Sequence, residues 1–302
     1  MQKQKVVFIL GPTGVGKTSM SVLLAKEFGG EIISADSVQV FKEFDIGSAK
    51  VTKEEMEGIT HYGIDLVCPN EEFSASDYVG FTKAKIEDIA SRGKLPIVVG
   101  GTALYVKSLV EGYNFGGTEK HEEFRKDLER EIAENGLDNV FEQLKELNPE
   151  MASRIDGKNK VRVIRALEIC KFGSGKEKNN LESDFDFKIF ALTMPREKLY
   201  ERINKRVEIM LENGLVEEVG KLYKKYGECQ PMRAIGYKEV VPYLKDEVSL
   251  QEMQALISQH TRNYAKRQLT FLRGMNNVKF VDVLNGNEID EMKEEIGLWL
   301  SR

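Results

Sequence analysis

The segment that most constrains this chain is residues 5–18, KVVFIL followed by GPTGVGKT. Val6–Leu10 form a continuous apolar run, as expected for a strand buried on both faces of a parallel sheet. The run stops at Gly11. From there Gly11, Pro12, Thr13, Gly14, Val15, Gly16, Lys17 and Thr18 fit the pattern G-x-x-x-x-G-K-[ST]. TSMSVLLAKEF (18–28) follows with helical spacing at Met20, Leu23, Leu24 and Phe28, and Gly29-Gly30 stops it. In that setting the glycines let the backbone bend so that successive N–H groups converge on phosphate oxygens, and the helix N-terminus adds partial positive charge. Lys17 supplies a full charge toward a terminal phosphate, and the Thr18 hydroxyl can hold Mg²⁺. The segment therefore predicts a diphosphate-binding P-loop without saying which phosphate compound it takes. A guanine-specific N-K-x-D is absent, and the candidate Walker B strands, IISAD and KFVDV, are irregular. A nucleotide-hydrolysing reading is incomplete.

The rest of the chain extends the strand–helix alternation. EIISA (31–35) is a second short strand ending at Asp36; a helix over 74–92 carries Tyr78, Phe81, Ile86 and Ile89 on one side. LPIVVGG (95–101) is a third buried strand with a Gly-Gly end. Residues 119–172 read as helices only, rich in Glu, Lys and Arg, and 172–184 as a loop. FKIFALT (187–193) resumes the α/β pattern, with long helices over 195–225 and 249–273, the strand VKFVDV (278–283) and a terminal helix. The expected fold class is α/β: a P-loop parallel sheet flanked by helices (1–115 and 185–302) with an inserted all-helical subdomain (116–184).

Charge and cysteine usage narrow the function classes. The three cysteines (Cys68, Cys170, Cys229) are far apart and show no zinc or disulfide spacing. No stretch approaches the ~20 apolar residues that span a bilayer. These features lead us to expect a cytoplasmic protein. The net charge of −5 argues weakly against nucleic acid, but local charge steers an encounter in a groove. Basic clusters occur at Lys158, Lys160, Arg162 and Arg165, and at Arg262, Lys266, Arg267 and Arg273. Each also reads as an ordinary solvated helix face.

Ligands of open α/β sheets sit outside the carboxyl ends of the strands. The P-loop, Asp36-Ser37-Val38-Gln39 and Gly100-Gly101-Thr102 all fall there. Asp36 reads either as a general base beside a phosphate or as the cap of a following helix; Thr102 reads either as a Mg²⁺ or phosphate contact or as an N-cap. His61 and the tyrosines 105 and 237 read as structural, and His260 as either packing or an RNA contact.

Read together, GPTGVGKT, DSVQVFKEFDIGSAK (36–50), HYGIDL (61–66), FSASDY (73–78), PIVVGGTALYVKSLVEG (96–112), VRVIRALE (161–168), RAIGYKE (233–239) and TRNYAKRQLTFLR (261–273) resemble, in order, the blocks of the bacterial tRNA dimethylallyltransferase family. The P-loop alone is shared widely, whereas D-S-x-Q, G-G-T-x-L-Y and A-K-R-Q-x-T-[FW]-L-R together are specific. The resemblance implies transfer of a five-carbon allyl group from dimethylallyl diphosphate to N6 of adenosine 37, in the anticodon stem-loop of tRNA, by a monomer using Mg²⁺. It implies that Asp36 accepts the amine proton, that Ser37, Val38 and Gln39 line the base pocket, that Thr102 contacts both tRNA and the Mg-diphosphate, and that Arg233 stabilises the diphosphate alongside the P-loop's Lys17. Arg125, the segment Val161, Arg162, Val163, Ile164 and Arg165, and His260 and Arg262 on the later helix would contact tRNA. Three positions depart from the family pattern: Gly14 stands where Ala is usual, Val161 replaces a Gln, and FGGTEKH (115–121) occupies the place of an L-P-x-A-D-P run.

The chemistry is coherent with these residue types. An allylic diphosphate ionises readily once its leaving group is neutralised. A weakly basic exocyclic amine benefits from a nearby carboxylate, and an adenine in a folded loop must be turned out to react. Three rivals stand beside this reading: the same reaction on free AMP, a small-molecule kinase using ATP at the loop, and a non-catalytic RNA-binding module.

Overall fold

The computed structural model describes residues 3–111, 120–173 and 185–302. Six strands form one parallel sheet: β1 (Gln4–Leu10), β2 (Gly30–Ala35), β3 (His61–Tyr62), β4 (Leu95–Gly100), β5 (Phe185–Thr193) and β6 (Val278–Asp282), in the spatial order β3-β2-β4-β1-β5-β6. The central strands are apolar along their whole length because helices cover both faces: every residue of β2 and β4 and the last five of β1 are buried. Against them pack the helix Lys17–Phe28, through Met20, Val22 and Leu24, and the helix Arg196–Glu212, through Leu199 and Ile203. The fold class is α/β, as the alternation of patterns requires. Among the described residues no helix is long and apolar enough to cross a membrane.

Two elements differ from the sequence reading. The two-residue edge strand β3 is too short to show a period. The helix expected over 195–225 is two, Arg196–Glu212 and Leu215–Tyr226, because Asn213 ends the first and Gly214 takes a left-handed φ of 93°. The other long helix, Leu250–Arg273, starts at a capping box of Ser249 and Glu252.

The chain divides into two compact units, Met1–Leu109 with Ser183–Arg302, and Val110–Glu182. The expected insertion bounds, 116 and 184, lie outside the described residues, as do most of FGGTEKH and of the loop 172–184. Within the second unit, helices Glu122–Asn135, Leu137–Leu147, Pro149–Ser153 and Lys160–Phe172 enclose their own core of Leu128, Val140, Leu144, Val163, Ile164 and Leu167. One carboxylate is buried there. Glu168 accepts hydrogen bonds from Arg125 Nε (2.9 Å), Arg125 Nη2 (2.6 Å) and the His121 amide (2.7 Å), and is paired with Arg165. Burial by itself would raise its pKa; the bonds from Arg125, the His121 amide and Arg165 outweigh that and hold it at about 2.

Candidate active site

Strand register brings the expected loops to one level. Leu10 pairs with Gly100, and Gly100 with Ala35, so the chain leaves the sheet at Gly11, Gly101 and Asp36 in one row of adjacent strands. This approach demands glycine at position 100, where a Cβ would lie 2.2 Å from the Ala35 carbonyl oxygen. Two cross-bonds tie the row together: the Thr102 amide donates to Ala35 O (3.3 Å), and the Ser37 amide donates to Thr102 Oγ1 (3.1 Å).

The P-loop closes over the start of the helix Lys17–Phe28, with Gly14 and Gly16 at φ 82° and 101°. The Lys17 ammonium donates to Pro12 O (2.8 Å). Its pKa is lowered to about 8, first by burial and then by the charge of Arg206, with Asp36 opposing. The loop is also held from outside. Gln268, on the helix Leu250–Arg273, accepts from the Thr13 amide (2.9 Å) and donates to Gly101 O (3.0 Å), bridging the ends of β1 and β4.

No helix follows Asp36; residues 37–40 are turn. Asp36 Oδ1 accepts from the amides of Val38 (2.8 Å) and Gln39 (3.2 Å), an Asx-type turn. Oδ2 has no donor bonded to it among the described residues. The helix-cap reading is therefore corrected: Oδ1 organises a turn instead, because no helix follows, and this leaves Oδ2 open to the general-base reading. Thr102 lies at the start of the helix Ala103–Val110, but its hydroxyl serves Ser37 across the sheet.

Asp36 stands on the wall common to two cavities. The first, of about 350 Å³, is lined by Gly14, Gly16, Lys17, Thr18, Gln39 and Gly101, among others. The second, of about 330 Å³, is lined by Ser37, Val38, Arg233, Thr261 and Arg267. Thr13, Asp36, Ser48, Ala49, Arg206 and Tyr264 border both. Arg233, expected at the diphosphate, lines the second cavity and not the first. The arginine beside Lys17 is Arg206, whose Nη1 donates to Thr13 Oγ1 (3.4 Å) and whose pKa burial lowers against the charges of Asp36 and Glu55. Tyr264 is pushed up to about 12, by burial and then by the Asp36 charge. Three cations in its lining, Lys17, Arg202 and Arg206, against the two carboxylates of Asp36 and Glu55 leave the first cavity with an electrostatic demand for an anion.

Arg206, Tyr264 and Gln268 were missed in sequence. The available signal for Arg206 was its i, i+4 spacing to Arg202 alongside the apolar stripe Leu199, Ile203, Val207, which reads equally as a solvated helix edge. Of the expected tRNA-contacting residues, Val161 and Arg162 are exposed and Arg165 is half-buried, but Val163 and Ile164 turn into the core of the helical unit. A contiguous contact by all five side chains is therefore corrected: helical spacing sends the third and fourth inward. Arg125 is committed to Glu168. His260 Nδ1 lies 2.6 Å from Glu239 Oε1, and Arg262 donates to Asn204 Oδ1 (2.6 Å).

Comparison with known proteins agrees with the resemblance. Residues 39–275 match the family model described as IPP transferase. The chain is 45% identical over 298 residues to a tRNA dimethylallyltransferase of Bacillus anthracis, covering 97% of this chain and 95% of that protein. Its fold matches a crystal structure of the tRNA isopentenylpyrophosphate transferase of Bacillus halodurans, with a TM-score of 0.75, 42% identity, and coverage of 98% and 96%. It also matches a eukaryotic dimethylallyltransferase described as acting on tRNA, with a TM-score of 0.80, 31% identity, and coverage of 92% of this chain and 74% of that one.

Proposed function

Because this chain belongs to the IPP transferase family, we propose that it is a tRNA dimethylallyltransferase, joining the allyl group of dimethylallyl diphosphate to N6 of adenosine 37 in the tRNA anticodon stem-loop. The observation that carries the proposal is the position of Asp36 on a wall shared by a cationic P-loop cavity and a second cavity. The diphosphate belongs against Lys17, Arg206 and the P-loop amides, and the base belongs in the second cavity beside Ser37, Val38 and Arg233.

In the reaction the allylic C–O bond breaks, its electron pair leaves with diphosphate, and a new C–N bond forms to the exocyclic nitrogen. The nitrogen's proton passes to Asp36 Oδ2. Lys17 and Arg206 neutralise charge on the leaving group where it develops. Thr102 Oγ1, by holding the Ser37 amide, keeps the Asp36 turn level with the P-loop. Among the described residues no group of three or more His, Cys, Asp or Glu could hold a metal by itself. Thr18 does line the Lys17 cavity, which fits a Mg²⁺ taking its other ligands from the diphosphate. Mg²⁺ bound there would add to the neutralisation of the leaving group. We further propose that the protein works as a cytoplasmic monomer and that exposed Arg162 contacts RNA backbone.

The test is to incubate the protein with dimethylallyl diphosphate, Mg²⁺ and unmodified tRNA, with AMP in a parallel reaction, and to digest and separate the nucleosides. Adenosine carrying one added C₅H₈ in the tRNA reaction alone is the expected product. Product from AMP alone, or from neither, would overturn the assignment.

A further inference from the structure

Glu218 lines neither cavity, yet its carboxylate gathers four donors. On the helix Leu215–Tyr226, it accepts from the amides of Ile46 (2.8 Å) and Asp45 (3.3 Å) at Oε2, and from the Gly47 amide (3.1 Å) and the Tyr237 hydroxyl (2.8 Å) at Oε1. The Ser48 amide in turn donates to Tyr237 Oη (3.1 Å). Four consecutive backbone N–H groups, 45–48, are thus held by one carboxylate and one phenol. Burial, then the Glu218 charge, pushes the Tyr237 pKa up, so the phenol keeps its proton across the working pH range.

What this grip holds in place borders the reaction. Ser48 and Ala49 line both cavities. Ala49 sits at φ 49°, a left-handed conformation that a residue with a Cβ adopts only when its surroundings over-determine it. The carbonyls of Ser48 and Ala49 accept from Gln39 Nε2 (3.3 and 3.2 Å), and the Gln39 amide is one of the two bonded to Asp36 Oδ1. The Tyr237 ring packs tilted against Phe44, with centroids 4.7 Å apart, and a Cβ at Gly47 would lie 2.5 Å from it. The loop therefore has one seat, and a chain of hydrogen bonds leads from it to the Asp36 turn.

We propose that Glu218, with Tyr237, is a positioning residue that acts through the 45–49 loop and Gln39 to aim the free oxygen of Asp36 into the shared wall of the two cavities. The inference rests on the proposed reaction. It predicts a loss confined to the chemical step, because the P-loop shares none of these bonds. In Glu218→Gln at least one oxygen of the grip becomes a donor facing N–H groups.

The test uses the full chain with saturating tRNA and dimethylallyl diphosphate. Glu218→Gln should lower the single-turnover rate by roughly 10- to 100-fold, the scale of a small misplacement of a reacting group. Dimethylallyl diphosphate affinity should stay within about twofold, since only alignment is lost. Hydrogen exchange of the 44–50 peptide should accelerate, a readout independent of the reaction. Gly47→Ala, which displaces the loop from its other side, should give the same pattern. Glu217→Gln, an equal charge change at an exposed neighbour, should behave as wild type. A wild-type rate in both loop variants, or a rate loss that only tracks a fallen folded fraction, overturns the inference. An inactive wild type would instead overturn the proposed reaction while leaving the exchange result readable.

Discussion

In the proposed reaction Asp36 divides its two oxygens between the turn and the chemistry, which makes its substitutions separable. Asn keeps an acceptor for the Val38 and Gln39 amides but takes no proton at neutral pH. Asp36→Asn should lower the single-turnover rate by about 10²–10⁴-fold with little change in melting temperature. Asp36→Ala should add a stability loss of about 1 kcal/mol, as when a capping side chain is removed. A wild-type rate for the Asn variant would remove Asp36 from the chemistry. Lys17 carries the opposite tension. Its pKa of about 8 lies below the unfolded value of 10.5, so the folded state binds fewer protons between those limits. The resulting destabilisation is fully present below about pH 8 and is relieved as pH rises toward 10.5. Lys17→Met should therefore melt no lower than wild type at pH 7 without ligand, while losing about two or more orders of magnitude in turnover. In the wild type, kcat/KM for dimethylallyl diphosphate should decline above pH 8, as the free enzyme's ammonium titrates.

The helix Leu250–Arg273 does at the level of an element what these residues do singly. It is long enough to stand across the carboxyl ends of the strands, and it sends Tyr264 and Gln268 to the site from one face, four residues apart. Gln268 is buried, and it satisfies one donor and one acceptor that nothing else in that row reaches. Gln268→Leu should leave the Thr13 N–H and the Gly101 C=O unpaired, costing roughly 1–3 kcal/mol for each that stays dry. Chemical denaturation should show the lost stability, and calorimetry a weaker diphosphate interaction, because the P-loop loses its outer tether. Unchanged values for both would mean that water replaces the amide at no cost. The spacing of this helix was legible in sequence, as were its basic positions. Which of its polar residues faced inward was not, since Gln at a helical position is ordinarily a surface residue.

At the scale of the whole molecule, two units with separate apolar cores should respond separately. Glu168 is the buried charge that joins the helices Glu122–Asn135 and Lys160–Phe172 of the Val110–Glu182 unit through Arg125, while Arg165 pairs with it along its own helix. Glu168→Gln should destabilise that unit by about 3–5 kcal/mol, because two guanidinium groups keep their charge and lose their partner. Hydrogen exchange should accelerate in 122–172 and not in the sheet. The Glu168 pKa is depressed to about 2 from 4.5, so the wild-type contribution is present above about pH 4.5 and is lost as pH falls through about 2. Exchange in the variant should lack that acid dependence. For the proposed tRNA contact, Arg162→Ala should flatten the log–log salt dependence of tRNA binding by roughly 0.7–0.9; an unchanged slope would make Arg162 a solvated surface charge.

What the sequence determined by itself is what short-range physics encodes. A buried β-branched run, a glycine pattern and a following helical period specify strand, phosphate loop and helix, because each depends only on neighbouring residues. The same holds for the ends of β2 and β4, and so for Asp36, Gly101 and Thr102 at the rim. The tertiary structure decided what meets them there. Sheet order placed β4 between β2 and β1, so that three loops separated in sequence leave one row. Packing chose Arg206 over Arg233 for the P-loop cavity. It also brought Gln268 to Thr13 across 255 positions and Glu218 to Ile46 across 172. Such pairings are set by which helix face a distant apolar stripe buries, and a polar residue at the edge of that stripe has the same local sequence signature whether it meets solvent or a group at the site.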